Sequence, residues 1–459
     1  MSRLPSGWAE TQLGSLIERV EAGLNVKCEE RPPRGTERGL VKISAVTWGR
    51  FNEEQSKTLP VDMAVSANAQ IQTGDLLFSR ANTIELVGAT VLVEEIEKCL
   101  YLSDKVLRLV VPAETKRWIN YAMKTAVVRK AIQDASSGNQ LSMRNISQEK
   151  LRQIPIPLAP LPEQKRIADK LDSVLARVDA CRDRLDRLPA LLKRFRQSIL
   201  AAATSGRLTE DWRVNNSCTR QWTEEPLGAF ILEMRNGLSP KPSEQPPGAK
   251  ILRISAVRPG KLDFDDHRYL VVDSATLNQY QLKQDDLLFT RYNGSLDFVG
   301  VCAIVPEPSE GFVYPDKLIR VRVNRQKVTP KYVEIAFGSQ SVRNQVEDFI
   351  KSSAGQKGIS GGDLKTTRIP IPPLPEQTEI VRRVEILFAF ADRLEARLAT
   401  ARRQVGQLTP ALLAKAFRGE LVPQDPADEP AAELLMRLAA QHAAAPVGKR
   451  TRARAPGNR

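Results

Sequence analysis

Ile154-Pro155-Ile156-Pro157, followed by Leu161-Pro162-Glu163-Gln164, is the stretch on which the fold turns, because it occurs twice. The second copy is Ile369-Pro370-Ile371-Pro372, followed by Leu374-Pro375-Glu376-Gln377. Each proline fixes φ and lacks an amide donor, so the alternation breaks both helix and central strand pairing. Pro162 and Pro375 then stand where a helix can start. Glu163 and Glu376 fall in its first turn, where the helix dipole favours an acid. The stretch reads as a hinge that opens a helix, used twice.

Downstream, apolar residues recur at spacings of four and three. The first series is Ile167, Leu171, Val174, Val178, Cys181, Leu185, Leu188, Leu192, Phe195 and Ile199. The second, about 213 residues on, is Ile380, Val384, Leu387, Ala391, Leu394, Leu398, Ala401, Val405, Leu408 and Leu412. A seam held over several heptads on two long helices predicts a coiled coil in which the two pair with each other. Ile167, Leu171, Val174, Val178 and Leu185, with Ile380, Val384, Leu387, Leu394 and Leu398, are the predicted helix and partner interface. The competing reading is two ordinary amphipathic helices, each packed on its own domain. A helix over 163–204 spans about 63 Å, so it projects from a small domain. Antiparallel pairing carries two globular parts to opposite ends, related by a pseudo-twofold axis. Pro189 and Pro410 lie inside the helices at non-equivalent positions and are expected to kink or divide them.

The repeat extends upstream. Lys42-Ile43-Ser44-Ala45-Val46 recurs as Arg253-Ile254-Ser255-Ala256-Val257, and Asp75-Leu76-Leu77-Phe78-Ser79-Arg80 recurs as Asp286-Leu287-Leu288-Phe289-Thr290-Arg291. Asn82 matches Asn293, and Asp104-Lys105 matches Asp316-Lys317. The offsets stay between 211 and 216, so one unit has been duplicated. Short β-rich runs between turn residues, with helices over 118–133 and 331–349, predict α+β or α/β domains. The expected organisation is a globular domain at 1–160, a helical spacer at 161–210, a second globular domain at 215–373 and a second spacer at 374–422. Residues 423–459 turn from acidic and proline-rich to basic and read as a disordered tail, with a short helix available at 433–444.

The chain has 459 residues, and 68 Lys and Arg against 54 Asp and Glu leave a net charge of +14. A polyanionic partner is one reading of that excess; a basic tail on an ordinary protein is the other. No apolar run is long enough to cross a membrane, and the first residues lack the apolar core of a secretory signal. Five scattered cysteines fit a reducing cytoplasm rather than a disulfide scaffold. Two histidines leave little scope for a His-based metal site, and none is predicted. Dinucleotide-binding, P-loop, nucleophile-elbow and amino-methyltransferase motifs are missing, so no catalytic residue is assigned. A duplicated pair of modules on a rigid spacer is binding architecture. Two unequal readers at fixed separation suit a bipartite, asymmetric DNA site.

The two Asp-Leu-Leu-Phe-[Ser/Thr]-Arg-x-Asn segments, the two Ile-Pro-Ile-Pro hinges with Leu-Pro-Glu-Gln, and the helix ends Ile199–Leu208 and Leu412–Leu421 resemble the specificity subunits of type I restriction-modification systems. The resemblance covers about residues 10–425. It implies two target recognition domains, each reading half of a split double-stranded DNA sequence, on antiparallel spacer helices that also dock two DNA adenine methyltransferase (modification) subunits. Restriction subunits complete an ATP-dependent endonuclease. S-adenosylmethionine, ATP and magnesium belong to those partners, and this subunit is non-catalytic and binds no cofactor. A coiled-coil adaptor with two protein-binding end domains is the alternative.

Candidate DNA-reading residues are Arg80 and Asn82 with Arg291 and Asn293, in loops after predicted strands. Arginines that merely pair nearby acids are the competing reading. Gln140 and Gln356 end small polar loops at 136–140 and 352–356, which either approach phosphate or simply turn the chain. Arg144 and Lys357 follow these loops. Lys42 and Arg253 precede the Ile-Ser-Ala-Val segments and contact DNA or act as charges at strand ends. Trp48, Phe51 and Tyr292 are candidate base contacts or core.

Overall fold

The computed structural model describes residues 4–47, 49–140, 143–218, 221–307, 311–353 and 356–444, without the side chains of 139, 140, 352, 353, 356, 442 and 444. The chain forms two compact units, Met1–Asp183 with Arg402–Arg459, and Arg184–Ala401.

In the first unit, Asp-Leu-Leu-Phe supplies the strand Leu76–Ser79, buried at every position. It lies between Val106–Val110 and Thr90–Leu92, with Arg19–Glu21 at the far edge, in an antiparallel four-stranded sheet. Arg38–Val41 pairs antiparallel with Ser56–Thr58 and parallel with Cys99–Tyr101. A third, small sheet joins Ser137–Gln140, Met143–Asn145 and Ala81–Asn82. The second unit repeats this plan. Its main sheet runs Ile231–Asn236, Leu318–Val323, Leu287–Thr290, Cys302–Ile304; its second runs His267–Leu270, Ala249–Leu252, Phe312–Val313; its small one runs Tyr292–Asn293, Gln356–Gly358, Lys351–Ser353. Pairing is mostly antiparallel, which decides for α+β.

The proline hinge is itself a strand. Pro155–Leu158 pairs antiparallel with Ala9–Gln12, and Arg368–Ile371 with Thr223–Pro226. Two-stranded ribbons need no donor on their outer edge, so proline is tolerated there although a central strand excludes it. Ile156 and Leu158 point into the core and are fully buried.

Leu-Pro-Glu-Gln has a structural task in both copies. The Trp8 indole N–H donates to Glu163 Oε2 at 3.0 Å, and that of Trp222 donates to Glu376 Oε2 at 3.0 Å. Gln164 Nε2 donates to the Ala159 carbonyl (2.8 Å) and Gln377 Nε2 to the Pro372 carbonyl (2.9 Å). All four Glu and Gln side chains are buried. The motif therefore ties the start of each spacer helix to the hinge before it and to a tryptophan more than 150 residues away.

The spacer helices are Leu161–Thr204 and Leu374–Ala416. Each runs through its proline undivided, because a proline removes only one backbone bond from a long ladder. In the first unit, Ile167 and Leu171 share a core with Leu13, Leu158, Leu413 and Ala416. In the second, Ile380 and Val384 share one with Leu227, Tyr332, Ile199 and Ala203. The start of each helix thus meets the end of the other, an antiparallel arrangement. The same cores contain the strands and helices of the adjoining domain, so the first turns of each helix serve both their helical partner and their own domain.

The expectation of a disordered tail from 423 is corrected over 423–444, where the short helix available at 433–444 is present. Ala431–Ala444 is a helix, and Ala431, Leu434 and Leu438 are buried in the core of the first unit with Leu13 and Leu16. Asp428 pairs with Arg166 at 2.5 Å, and the Ala431 amide donates to the Gly7 carbonyl at 2.9 Å. The composition of 423–430 is polar, but the helix after it carries leucines at i and i+4, one buried face. The basic stretch 445–459 lies outside the described residues.

Candidate nucleic-acid interface

In each unit the Arg-x-Asn segment and the polar hairpin residues converge on the small three-stranded sheet. Arg80 follows the buried strand Leu76–Ser79; its amide donates to the Lys105 carbonyl (2.9 Å) and its carbonyl accepts from Ile146 (3.1 Å). Arg291 is pinned the same way, by Lys317 (2.8 Å) and Ile359 (3.0 Å). The recurring Asp-Lys pair therefore works through its backbone, as a turn beside the arginine. Two residues further, Asn82 stands directly across from Arg144, and Asn293 across from Lys357. Residues more than 60 positions apart in sequence become cross-strand neighbours in both repeats.

Neither Arg80 nor Arg291 pairs with an acid among the described residues, and the Nε of each is buried without a hydrogen-bond partner. The Arg291 guanidinium carbon lies 4.8 Å from the centroid of the Tyr292 ring. Asn82 Oδ1 accepts from the Thr83 amide (2.9 Å) and Asn293 Oδ1 from the Ser295 amide (3.1 Å), which orients both side chains in the loop.

The other candidates differ. Arg144 is bound within its own hairpin, to Ser136 Oγ (3.1 Å), the Ser136 carbonyl (2.6 Å) and the Gly138 carbonyl (2.8 Å). Lys42 lies 3.6 Å from Glu30, and Arg253 pairs with Glu244 and lies 3.6 Å from Asp266. The hydrogen bond from Lys57, with Lys42 adding its charge, holds the Glu30 carboxyl below its ordinary value. At Lys42 and Arg253 the strand-end pairing read from the sequence is what the geometry presents. Gln140 and Gln356 lie in the strands of the hairpins, paired with Met143 and Ser353; their side chains, and Trp48, are outside the described residues. Phe51 packs against the core of its domain.

The predicted seam divides. Ile167, Leu171, Val178, Ile380, Val384 and Leu398 are buried, while Val174 and Leu387 are half-buried. Within the second unit Leu185, Leu394 and Leu398 line an apolar groove of about 430 Å³ with Phe195 and Phe390. The rings of Phe195 and Phe390 stand edge to face at 6.5 Å, and Arg196 pairs with Asp392 at 2.6 Å.

Two features escaped sequence reasoning. Arg108 reaches Glu21 and Asp75 at 2.7 Å each, and Arg320 reaches Glu233 at 2.6 Å, with Asp286 4.0 Å away. These arginines are equivalent, and each ties three strands of its main sheet; an arginine inside Val-Leu-Arg-Leu-Val and again inside Leu-Ile-Arg-Val was the available signal. Burial pushes the Glu233 carboxyl up, but Arg320 and Arg322 outweigh it and leave it below its ordinary value. The second feature has no sequence signal. Arg117 pairs with Asp169 (2.7 Å) and Asp172, Tyr121 donates to Asp172, and Arg50 pairs with Asp179 (2.7 Å), fastening the first domain to its helix.

Two similar α+β domains, each presenting Arg-x-Asn beside a basic hairpin and each rooted on a long helix, define a duplicated recognition scaffold. The family profile described as "Type I restriction modification DNA specificity domain" matches residues 5–190 and 231–401, and the chain belongs to that family. It is 44% identical over 336 residues to the type I restriction enzyme EcoKI specificity subunit of Escherichia coli (strain K12), covering 71% of this chain and 72% of the relative. It is 31% identical to the StySPI specificity subunit of Salmonella potsdam, over 98% of both chains. The crystal structure of the HsdS subunit from Thermoanaerobacter tengcongensis shares the fold, with a TM-score of 0.55 at 19% identity, over 91% of this chain and 98% of that one. Among the described residues, no helix is long and apolar enough to cross a membrane.

Proposed function

We propose that this chain is the DNA sequence-specificity subunit of a type I restriction-modification complex and acts in the cytoplasm. Each small sheet addresses one half of a bipartite, asymmetric double-stranded DNA site. Lysines and arginines around it neutralise phosphates, and the arginine and asparagine side chains reach base edges. Two modification subunits dock on the helical scaffold and carry out N6-adenine methylation with S-adenosylmethionine; restriction subunits supply ATP- and magnesium-dependent cleavage. This chain contributes address and geometry and holds no cofactor. The observation that carries the reading is the repetition of an arginine with no acid partner among the described residues, two residues before an asparagine that faces a cationic residue, at equivalent places in both units. Cations left without acids are what a polyanion requires, whereas an adaptor of protein domains has no need to withhold them twice.

The test is a methylation map. The chain is expressed with its neighbouring methyltransferase subunit in a methylation-free host, and the genome is sequenced for N6-methyladenine. A gapped, asymmetric motif that depends on this chain is the expected result, and exchange of residues 1–160 changes only one half of it. The same motif without this chain, or none with it, overturns the reading in favour of the adaptor.

A further inference from the structure

The two small sheets differ at one cross-strand pair. In the first unit Ala81 stands across from Asn145; in the second, Tyr292 stands across from Gly358. The bulk has changed sides. A Cβ on Gly358 would lie 2.3 Å from Cδ1 and Cε1 of the Tyr292 ring, so the ring occupies the space that any side chain at 358 needs. Gly358 does not have a positive φ, so its backbone is open to other residues. A glycine inside a strand weakens it, and here the ring is the reason for it. The ring in turn supports Arg291, whose guanidinium carbon is 4.8 Å from its centroid. Arg291 has no acid among the described residues, its Nε is buried and unpartnered, and its backbone is fixed on both sides. The result is a planar cation with its orientation set and its hydrogen-bonding unspent.

A phosphate contact needs no such device, and among the described residues no aromatic ring lies under the Arg80 guanidinium in the first unit. A fixed guanidinium plane present in one repeat alone suits the reading of a base edge. We propose that Arg291, positioned by Tyr292 over Gly358, contacts O6 and N7 of a guanine in the half-site of the second recognition domain. The inference rests on the function proposed above and concerns one position of one half-site.

The experiment is the same methylation map, made on the complete complex with variants of this chain. With the native chain, the half of the motif assigned to the second domain contains an invariant guanine on one strand. Arg291→Lys and Tyr292→Ala relax that position, so that discrimination against the other bases falls about tenfold or more, and leave the first half unchanged. Tyr292→Phe keeps the ring and the native motif. Gly358→Ala relaxes the same position and adds nothing in the Tyr292→Ala background, since the ring it would displace is gone. The proposal is overturned by a second half-site without a guanine, by a uniform loss of methylation with an unchanged motif in Arg291→Lys, or by Tyr292→Phe behaving like Tyr292→Ala. If the native chain directs no gapped motif at all, it is the proposed function that fails.

Discussion

Glu163 and Glu376 are the same residue of the same motif in two repeats, and their surroundings differ. Glu376 accepts from Trp222 (3.0 Å), Thr209 (2.7 Å) and Arg213 (2.5 Å). Glu163 accepts from Trp8 (3.0 Å), but no arginine forms an ion pair with it among the described residues. Burial raises the Glu163 carboxyl above its ordinary value, against the hydrogen bonds from Trp8 and Gln424. The difference comes from the segment after each helix. Beyond the first helix, the turn Arg207–Thr209 and helix Glu210–Asn215 bring Thr209 and Arg213; beyond the second, the chain brings Gln424 and the acid Asp428, which takes Arg166 as its own partner. Duplication preserved the tie between helix and tryptophan and left each copy to complete its own shell.

The largest test of this asymmetry is truncation. A chain ending at 422 loses Ala431, Leu434 and Leu438 from the first core, and the first unit should lose about 4 kcal/mol or more by denaturant unfolding. Next come the buried arginines. Arg320 is 1% exposed and Arg108 12%, so Arg320→Met should cost about 3 kcal/mol and Arg108→Met about 2 kcal/mol in urea melts, because the carbonyls of Gln279 and Gln281, or of Asn68 and Gln70, lose their donor, although Arg322 still pairs with Glu233 and Asp286 and Arg19 with Glu21. Equal costs would erase the distinction between the sheets.

The glutamates rank third. Glu376→Gln leaves Arg213 without its carboxylate and should cost about 2 kcal/mol at neutral pH. Glu163→Gln should cost nothing there. Because the folded value of Glu163 is raised, its protonated form is the stabilising one; that contribution is complete below the unfolded carboxylate value and is lost as pH rises through the folded value. The first unit should therefore lose this contribution as pH rises through that range, and Glu163→Gln should remove that slope in thermal melts. The smallest effect is at the fastening of the first domain: Arg50 is largely exposed, and Arg50→Ala should cost about 0.5 kcal/mol, less in high salt.

The duplication, the position of both spacer helices and the burial of Asp-Leu-Leu-Phe were legible because each rests on local pattern: an offset, a period near 3.5, a run of apolar residues. The candidate site was legible in part. Arg80, Asn82, Arg291 and Asn293 were found from the repeat, and their cross-strand partners Arg144 and Lys357 were named only as residues following a polar loop. Lys42 and Arg253 could not be separated from them, since the acids that occupy them, Glu30, Glu244 and Asp266, are 9 to 13 residues away in sequence and opposed only once strands pair. In the tail the helix available at 433–444 was legible, but its docking on the first domain's core and the order of 423–430 were not, because both rest on contacts with residues far away in the chain.

By itself, then, the sequence determined that there are two copies of one module of mixed strands and helices, that each ends in a proline hinge and a long helix, and that a cationic excess accompanies them. Periodicity and repetition need no partner to be visible. Only the tertiary structure decided which cations remain unpaired, which glutamate receives an arginine, and that a tyrosine at 292 requires a glycine at 358. Those outcomes depend on contacts between segments far apart in the chain, where a distance of an ångström separates an ion pair or a clash from open solvent.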